Sequence, residues 1–350
     1  MAVGQGALFA GQSYLSVGRE TTLGTGVTAS AGLNFISASM KTVQEGKILE
    51  QIERSRTMSQ RILMGKKVEG DVEYYFRPDD NASTFILQNA MGGTITSATA
   101  TSETAGGLAF THTFNLGAMD QGGYTSLTLG MRKGPSSGGK VFQYNGCRVN
   151  EITFAAEIDD ALKTTASIIG IDSTVGSTDL ESTLTISAAD VLNFSSGRLS
   201  VETSFASLTT TSFWHVQSFE LKVMNNLKAD NEARRIGSDV LAVLPVGVQA
   251  FELKLGIRFD TTTAFDAMRA ATKLSFEGEF TGPTLTGSSI KSGIKFQLPE
   301  IYVNNAGDPE IGGPDEILQS EVTFHVLRDD SSVSGYALRA LVTNLKANYT

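Results

Sequence analysis

The segment KVEGDVEYYF, residues 67–76, alternates strictly. In an extended backbone Val68, Val72, Tyr74 and Phe76 point one way, with Gly70 between them. Lys67, Glu69, Asp71, Glu73 and Tyr75 point the other way. A chain with this pattern has one strand face to bury and one to leave wet. Pro78-Asp79-Asp80-Asn81 stops the strand, because proline has no ladder donor and Asp and Asn favour turns. From Ala82 the period changes. Phe85, Ile86, Gln88, Asn89 and Met91 predict a short amphipathic helix ended by Gly92-Gly93.

A similar unit follows roughly 180 residues later, a spacing of ordinary domain size. VQAFELKLGIRF places Phe251, Leu253, Leu255, Ile257 and Phe259 on one face and Glu252, Lys254 and Arg258 on the other. Asp260 to Thr263 is expected to make the turn and the helix cap, and Phe265, Met268 and Ala271 carry a helical stripe. Both units place an Arg beside the turn (Arg77, Arg258) and a Phe early in the helix (Phe85, Phe265). The expected organisation is mainly β. Residues 1–34 form an N-terminal arm and 35–173 a first domain. Residues 174–210 are a linker or strand region, 211–330 a second domain and 331–350 a tail with one possible strand.

Composition agrees with β structure: among 350 residues there are 36 Gly and only 7 Pro. The net charge of −9 disfavours sequence-independent binding to duplex DNA. A single cysteine, Cys147, excludes an internal disulfide framework and a multi-cysteine zinc site, and its strand-like context predicts a buried small hydrophobe. The N-terminus lacks a basic stretch followed by an apolar one, and no apolar run approaches the ~20 residues of a membrane helix. The expectation is a chain made in a cytoplasm, with no membrane insertion.

Motifs for chemistry are near misses. Gly134 to Lys140 nearly fits a phosphate loop, but Val141 stands where a Ser or Thr must meet Mg²⁺ and the next residues read as a strand. His112, His215 and His325 are far apart, each in a strand-like context. GDPEIGGPDE, residues 307–316, lacks the ligand order of a calcium loop. Asp159-Asp160 reads as a turn, and nothing selects a pair of carboxylates for glycoside hydrolysis. Trp214 is expected in the second core. No catalytic residue, cofactor or metal site is predicted.

Two excursions, residues 43–66 and 222–244, carry mixed charge without a helical period and are expected to be exposed. Long loops in compact domains usually bind partners. Interface candidates are Leu8, Phe9 and Tyr14 in the arm, Glu50, Glu53, Arg54, Arg56 and Arg61 in the first excursion, and Lys228, Asp230, Arg234 and Arg235 in the second.

Five segments in order resemble bacteriophage tail tube proteins. They are RETTLGTGVTAS (Arg19–Ser30), FISASMKTV (Phe35–Val43), ERSR (Glu53–Arg56), V-x-G-x-V-x-Y (Val68–Tyr74) and YNGCRVNEITF (Tyr144–Phe154). The second unit departs in lacking V-x-G-x-V. The resemblance implies two tandem β-sandwich domains, each with a short flanking helix, whose sheets join into a barrel around a lumen on oligomerisation. It implies trimeric, pseudo-sixfold rings that stack into a tube through which DNA leaves the capsid, with arms and excursions as ring-to-ring contacts. Implied partners are the chain itself, the tape-measure, tail-tip and tail-terminator proteins, and DNA in transit without specific binding. The implied place is the virion tail, assembled in the host cytoplasm. Glu69, Asp71, Glu73, Glu151 and Glu157 then line the lumen or, alternatively, face outer solvent. Other readings are a decoration, tail-tip or sugar- or receptor-binding virion protein, a β-sandwich hydrolase, and a membrane barrel that the two helical stretches disfavour.

Overall fold

The alternating stretch ending at Tyr75 is one of many strands in the computed structural model. The structure describes residues 10–50, 57, 60–93, 95–100, 108–116, 126–136, 139–176, 178–208, 215–260, 262–307, 309, 317–329 and 335–349. In chain order come β1 (Tyr14–Arg19), β2 (Ala31–Leu33), β3 (Ser37–Ala38), β4 (Lys41–Ile48), β5 (Arg61–Tyr75), α1 (Asn81–Met91), β6 (Ile95–Thr99), β7 (Phe110–Asn115), β8 (Leu127–Lys133), β9 (Lys140–Glu157) and β10 (Lys163–Gly170). The chain continues with β11 (Asp172–Val175), β12 (Thr185–Ile186), β13 (Gly197–Glu202), β14 (Val216–Met224), β15 (Ala250–Arg258), α2 (Thr263–Arg269), β16 (Leu274–Thr284), β17 (Lys291–Ala306), β18 (Gln319–Val326) and β19 (Arg339–Asn344).

A front sheet runs in the order β4 with β3, β5, β10, β9, β14, β15, β18, β17. Only the C-terminal halves of β9 and β17 belong to it. Their N-terminal halves turn into two flanks. One flank runs β12, β2, β1, β8, β9, β11. The other runs β6, β7, β19, β17, β16, β13. The sheet does not close on itself. Within the front sheet β5 is paired by β3 and β4 on one side and by β10 on the other. Likewise β15 lies between β14 and β18.

Front and flanking strands meet across a core rich in phenylalanine. Phe154 on β9 lies 4.7 Å from Phe296 on β17 and 6.1 Å from Phe76. Phe219 on β14 stacks on Phe276 and tilts against Phe280, both on β16. Cys147 is fully buried and unbonded, and burial pushes its thiol well up.

Gly70, inside the alternating stretch, has a steric reason. The chain crosses from β3 to β4 directly over it, and a Cβ there would lie 2.6 Å from Met40 Cα, with φ at +157°. Helix α1 starts and stops where its caps predict. Asp80 Oδ1 accepts from the Ala82 amide at 3.0 Å, Oδ2 accepts from Ser83 Oγ at 2.7 Å, and Gly92 closes the helix in the left-handed conformation. The helix is not amphipathic, as the spacing suggested. All but Asn81 and Gln88 are buried, because the flank containing β1 and β2 covers the side that a surface helix would expose to water. The second cap differs too. Thr262 makes no side-chain cap bond, and its hydroxyl donates to Asp266 Oδ2 at 3.0 Å.

Residues 10–34 are not a free arm. β1 lies between β2 and β8, with Leu15 and Val17 buried. The turn after it folds around the buried Glu20. Its carboxylate accepts from Ser126 Oγ, Thr128 Oγ1 and the amides of Gly24 and Gly146. The expected tail strand is β19, and it lies between β7 and β17 rather than at an edge.

The end of the chain is held by a buried polar group. His112 on β7 pairs through Nδ1 with Ser97 Oγ at 2.8 Å and through Nε2 with Asn344 Oδ1 at 3.0 Å, and the Tyr349 ring packs edge-on against it. Burial pushes the His112 imidazole below its ordinary value. The folded chain therefore binds fewer protons there than the unfolded chain, so this site favours folding more as pH rises. The contribution should be complete above about pH 6.5 and be lost as pH falls through that value toward the lower folded one. Melting followed across this range for wild type and His112→Gln should show a smaller acid loss in the variant; parallel curves would exclude His112 as the cause.

Candidate assembly surfaces

The front sheet buries one face, and the other carries nearly all its charge. Register aligns the outward residues in rows. One row is Asp71, Ser167, Glu151, Met224 and Ala250. The next is Glu73, Thr165, Thr153, Lys222, Glu252, His325 and Tyr302. Glu157 sits in a further row with Ser218, Gly256 and Glu321. All five predicted acidic residues thus share one face, together with Glu252, which the sequence had already placed on an outward face, and with Glu220 and Glu321, which it had not singled out. The signal for these two was present: Glu220 stands between the buried Phe219 and Leu221, and Glu321 between the buried Ser320 and Val322, as the β5 residues alternate.

The face is not bare carboxylate. Lys41 reaches Glu69 at 3.7 Å and Lys67 reaches it at 3.0 Å. Lys163 meets Glu73 at 3.5 Å, Lys222 meets Glu151 at 2.8 Å, and Lys254 bridges Glu252 at 3.2 Å and Glu220 at 3.7 Å. Hydrogen bonding from Lys67 holds the Glu69 carboxyl below its ordinary value, and bonding to Glu252 raises the Lys254 ammonium. Among the described residues Asp71 and Glu157 enter no ion pair.

Two front-sheet edges are unpaired among the described residues: β3 with β4, and Tyr302–Ala306 of β17. Between them lies the seam where the first half of the chain meets the second. There β9 and β14 pair antiparallel from Glu157↔Ser218 to Glu151↔Met224. The Lys222–Glu151 pair crosses this seam, and beyond it Asn225 Nδ2 donates to the carbonyls of Val149 and Ala90 at 2.9 Å.

β4 and β5 continue past the sheet as a two-stranded arm, with Gly46 opposite Leu63 and Ile48 opposite Arg61. Arg61 and Glu50 are exposed on it. Leu8, Phe9, Glu53, Arg54 and Arg56 lie outside the described residues, as do Trp214, Ser137, Gly138 and most of 307–316. Tyr14 does not face out. Its ring is buried beneath the Arg132 guanidinium, and its hydroxyl accepts from the Leu180 amide at 3.0 Å. Arg132 itself is held by Asp179 at 2.9 Å and by Glu181.

The second excursion folds onto its own chain. Lys66 donates from its amide to the Asp239 carbonyl at 2.7 Å, and its ammonium bridges Asp172 and Asp239. Arg234 Nη1 lies 3.5 Å from the carbonyls of Lys66 and Asp239, so Arg234 serves this internal contact, while Lys228, Asp230 and Arg235 stay exposed. Leu227, Ala233, Leu241 and Leu244 bury Ile171 in a cluster separate from the main core.

Elsewhere, between β8 and β9, the Gly139 amide donates to the Pro135 carbonyl at 2.6 Å. No helix opens behind Lys140, whose strand runs on to Glu157. Among the described residues no cluster of metal-ligating side chains occurs. No helix there is long and apolar enough to cross a membrane. The family model described as phage tail tube protein matches residues 11–326. No curated protein matches the chain.

The ion pairs of the front face are half-exposed, which limits their worth to about 0–1 kcal/mol each. Lys222→Met should therefore change unfolding free energy by no more than about 1 kcal/mol in urea titrations. A loss beyond about 2 kcal/mol would mean that the pair holds the seam itself.

Proposed function

The chain belongs to the phage tail tube protein family, and on that premise we propose that it forms the tube as stacked trimeric rings, each chain supplying two copies of one domain. The paired order of strands supports the duplication. In the first half β5 pairs with β3 and β4 and with β10, β10 with the end of β9, the start of β9 with β8, and β8 with β1. In the second half β15 pairs with β14 and β18, β18 with the end of β17, the start of β17 with β16, and β16 with β13. Helices α1 and α2 follow the corresponding strands β5 and β15.

The seam carries the ring reading. It joins the last front strand of the first half to the first front strand of the second. The chain's two free edges are the counterparts of those same strands. A contact that repeats head to tail generates a ring when its rotation closes. Three copies would then place six similar domains around a barrel, with no front edge left open. Setting Val72 against Leu253 fixes the register between copies. The Ile152–Val223 pair of the seam corresponds to Val303–Met40, and Glu151–Met224 corresponds to Tyr302–Lys41.

In such a ring the charged front face lines the lumen, so Glu69, Asp71, Glu73, Glu151 and Glu157 face passing DNA. Excess carboxylate repels phosphate. The paired lysines also matter, since a lysine already held by a carboxylate does not need a phosphate oxygen. The proposed role is a conduit for genome ejection, capped and measured by tail-terminator, tail-tip and tape-measure partners, with assembly in the host cytoplasm.

Facing residues of paired strands have Cα atoms about 4.5–5.5 Å apart, within the range a disulfide spans. Lys41→Cys combined with Tyr302→Cys should therefore yield covalent dimers and trimers on oxidation of assembled protein, and nothing longer. Absence of crosslinks in assembled tubes would sink the edge pairing, and a ladder beyond trimer would sink the three-copy ring. Separately, changing Glu69, Asp71 and Glu73 together to Lys should leave tubes intact while slowing or blocking ejection of labelled DNA from phage carrying the variant. Normal ejection would place that face away from the lumen.

A further inference from the structure

Residues 344–349 strap the end of the chain over the turn that leads into α1. Asn344 Nδ2 donates to the Pro78 carbonyl at 2.7 Å and to the Tyr349 hydroxyl, which itself donates to the same carbonyl at 3.2 Å. The Lys346 amide donates to Asn344 Oδ1 at 2.8 Å, so the lysine leaves the strap at a fixed point. Its Nζ lies 2.5 Å from the Asp79 carbonyl oxygen and 2.7 Å from Asn81 Oδ1. Asn81 is placed as firmly: it is the first residue of α1, directly after the Asp80 cap. A carbonyl carbon is one bond of about 1.2 Å from its oxygen, which puts Asn81 Cγ within about 3.9 Å of Nζ. Reacting atoms in near-attack geometries stand about 3–3.5 Å apart, a small side-chain rotation from this arrangement.

A lysine attacks a carbonyl carbon only as the free amine. Burial pushes the Lys346 ammonium below its ordinary value, which favours the amine. The groups that face it are Asp79 and Asp80 in the turn, His112 on β7 and Tyr349 in the strap, with Arg19 of β1 at the Tyr349 carbonyl. The two acids oppose the effect of burial without cancelling it. Both oxygens of Asp80 are engaged, one by the Ala82 amide and one by the Ser83 hydroxyl, whereas the Asp79 carboxylate stands 4.0 Å from Nζ.

We infer that Lys346 and Asn81 are the two halves of an intramolecular isopeptide bond. The Lys346 amine adds to Asn81 Cγ, a C–N bond forms, the Cγ–Nδ2 bond breaks and ammonia leaves. The proton shed by the attacking nitrogen passes through the Asp79 carboxylate to the departing Nδ2, so the step balances without an oxidant or a cofactor. The fold supplies proximity and desolvation, which a lysine and an asparagine lack when free in water. The bond spans 265 positions and ties the strap to the first half of the chain. β19, already laddered to β7 and β17, is then anchored covalently at its exit. The bond lies within one chain and does not depend on how copies assemble.

Intact mass spectrometry of the purified full chain, followed during incubation at about pH 9, tests it. The mass should fall by one ammonia, about 17 Da, and fragmentation after digestion should find positions 81 and 346 in one linked peptide. Formation should quicken by about tenfold per pH unit while most of the amine is protonated. Lys346→Arg keeps the charge and the donors but not the nucleophile, and Asn81→Ala removes the acceptor. Both should stay at their full sequence masses, with circular dichroism showing that they fold. Asp79→Asn should slow the bond by about tenfold or more, and an unchanged rate would take the proton transfer away from Asp79. Folded wild type that keeps its full mass throughout would overturn the bond. So would an ammonia loss that persists in Lys346→Arg, since it would come from cyclisation of an asparagine elsewhere.

Discussion

The front sheet depends on a hydrogen-bond ladder between two strands that are far apart in sequence. β9 and β14 belong to different halves, yet their backbone groups satisfy one another from Glu157↔Ser218 to Glu151↔Met224. An unpaired strand edge offers donors and acceptors to any passing strand, and proteins cover, charge or pair such edges. Inside the chain the seam covers one such pair of edges. Among the described residues the same strand types remain open at the two ends of the front sheet. Neither end is protected by proline, and the β17 end carries no lysine or arginine from Tyr302 to Ala306. On the proposed ring reading, the single chain would be incomplete in a defined way, and the missing piece would have the shape of what it already contains.

The long strands β9 and β17 make this arrangement possible. Each starts in a flank and ends in the front sheet, so the two layers are tied by continuous backbone as well as by side chains. The phenylalanines between them fill the space at the bend: Phe296 touches both Phe154 and Phe219, one on each side of the seam. A core shared across the seam means that the halves cannot separate without exposing aromatic surface. β19 adds a second tie, pairing β7 of the first half with β17 of the second.

Much of this was legible where a short stretch determines its own structure. The alternation of residues 67–76 and the Gly92 stop needed only local rules. Gly70 could be seen as an interruption, but its reason, the passage of Met40 across it, is a long-range contact. The buried α1 face was illegible for the same cause, since β1 and β2 cover it from the stretch read as a loose arm. Tyr14 and Arg234 looked like free interface residues because the contacts that draw them inward come largely from other segments of the chain. Their partners, Arg132 with Leu180 and the Lys66 carbonyl, are more than a hundred residues away. The acidic face was read from β5 and β9 alone. Its neutralising lysines come from facing strands, and only register reveals which lysine meets which carboxylate.

In the proposed ring, that neutralisation bears on what a lumen surface would have to do. A wall of unpaired carboxylates would repel DNA, but it would also repel itself across a narrow ring, which disfavours assembly. A wall of free lysines would assemble no better and would grip each phosphate in passing. Interleaving the two avoids both outcomes. Lys41, Lys67, Lys163, Lys222 and Lys254 each lie within ion-pair reach of a carboxylate, while acids outnumber bases on the face. The pairs are too exposed to add much stability singly. If the face lines the lumen as proposed, their consequence is kinetic: a cation already satisfied would have less to gain from a moving phosphate, and the residual negative charge would keep the polymer off the wall.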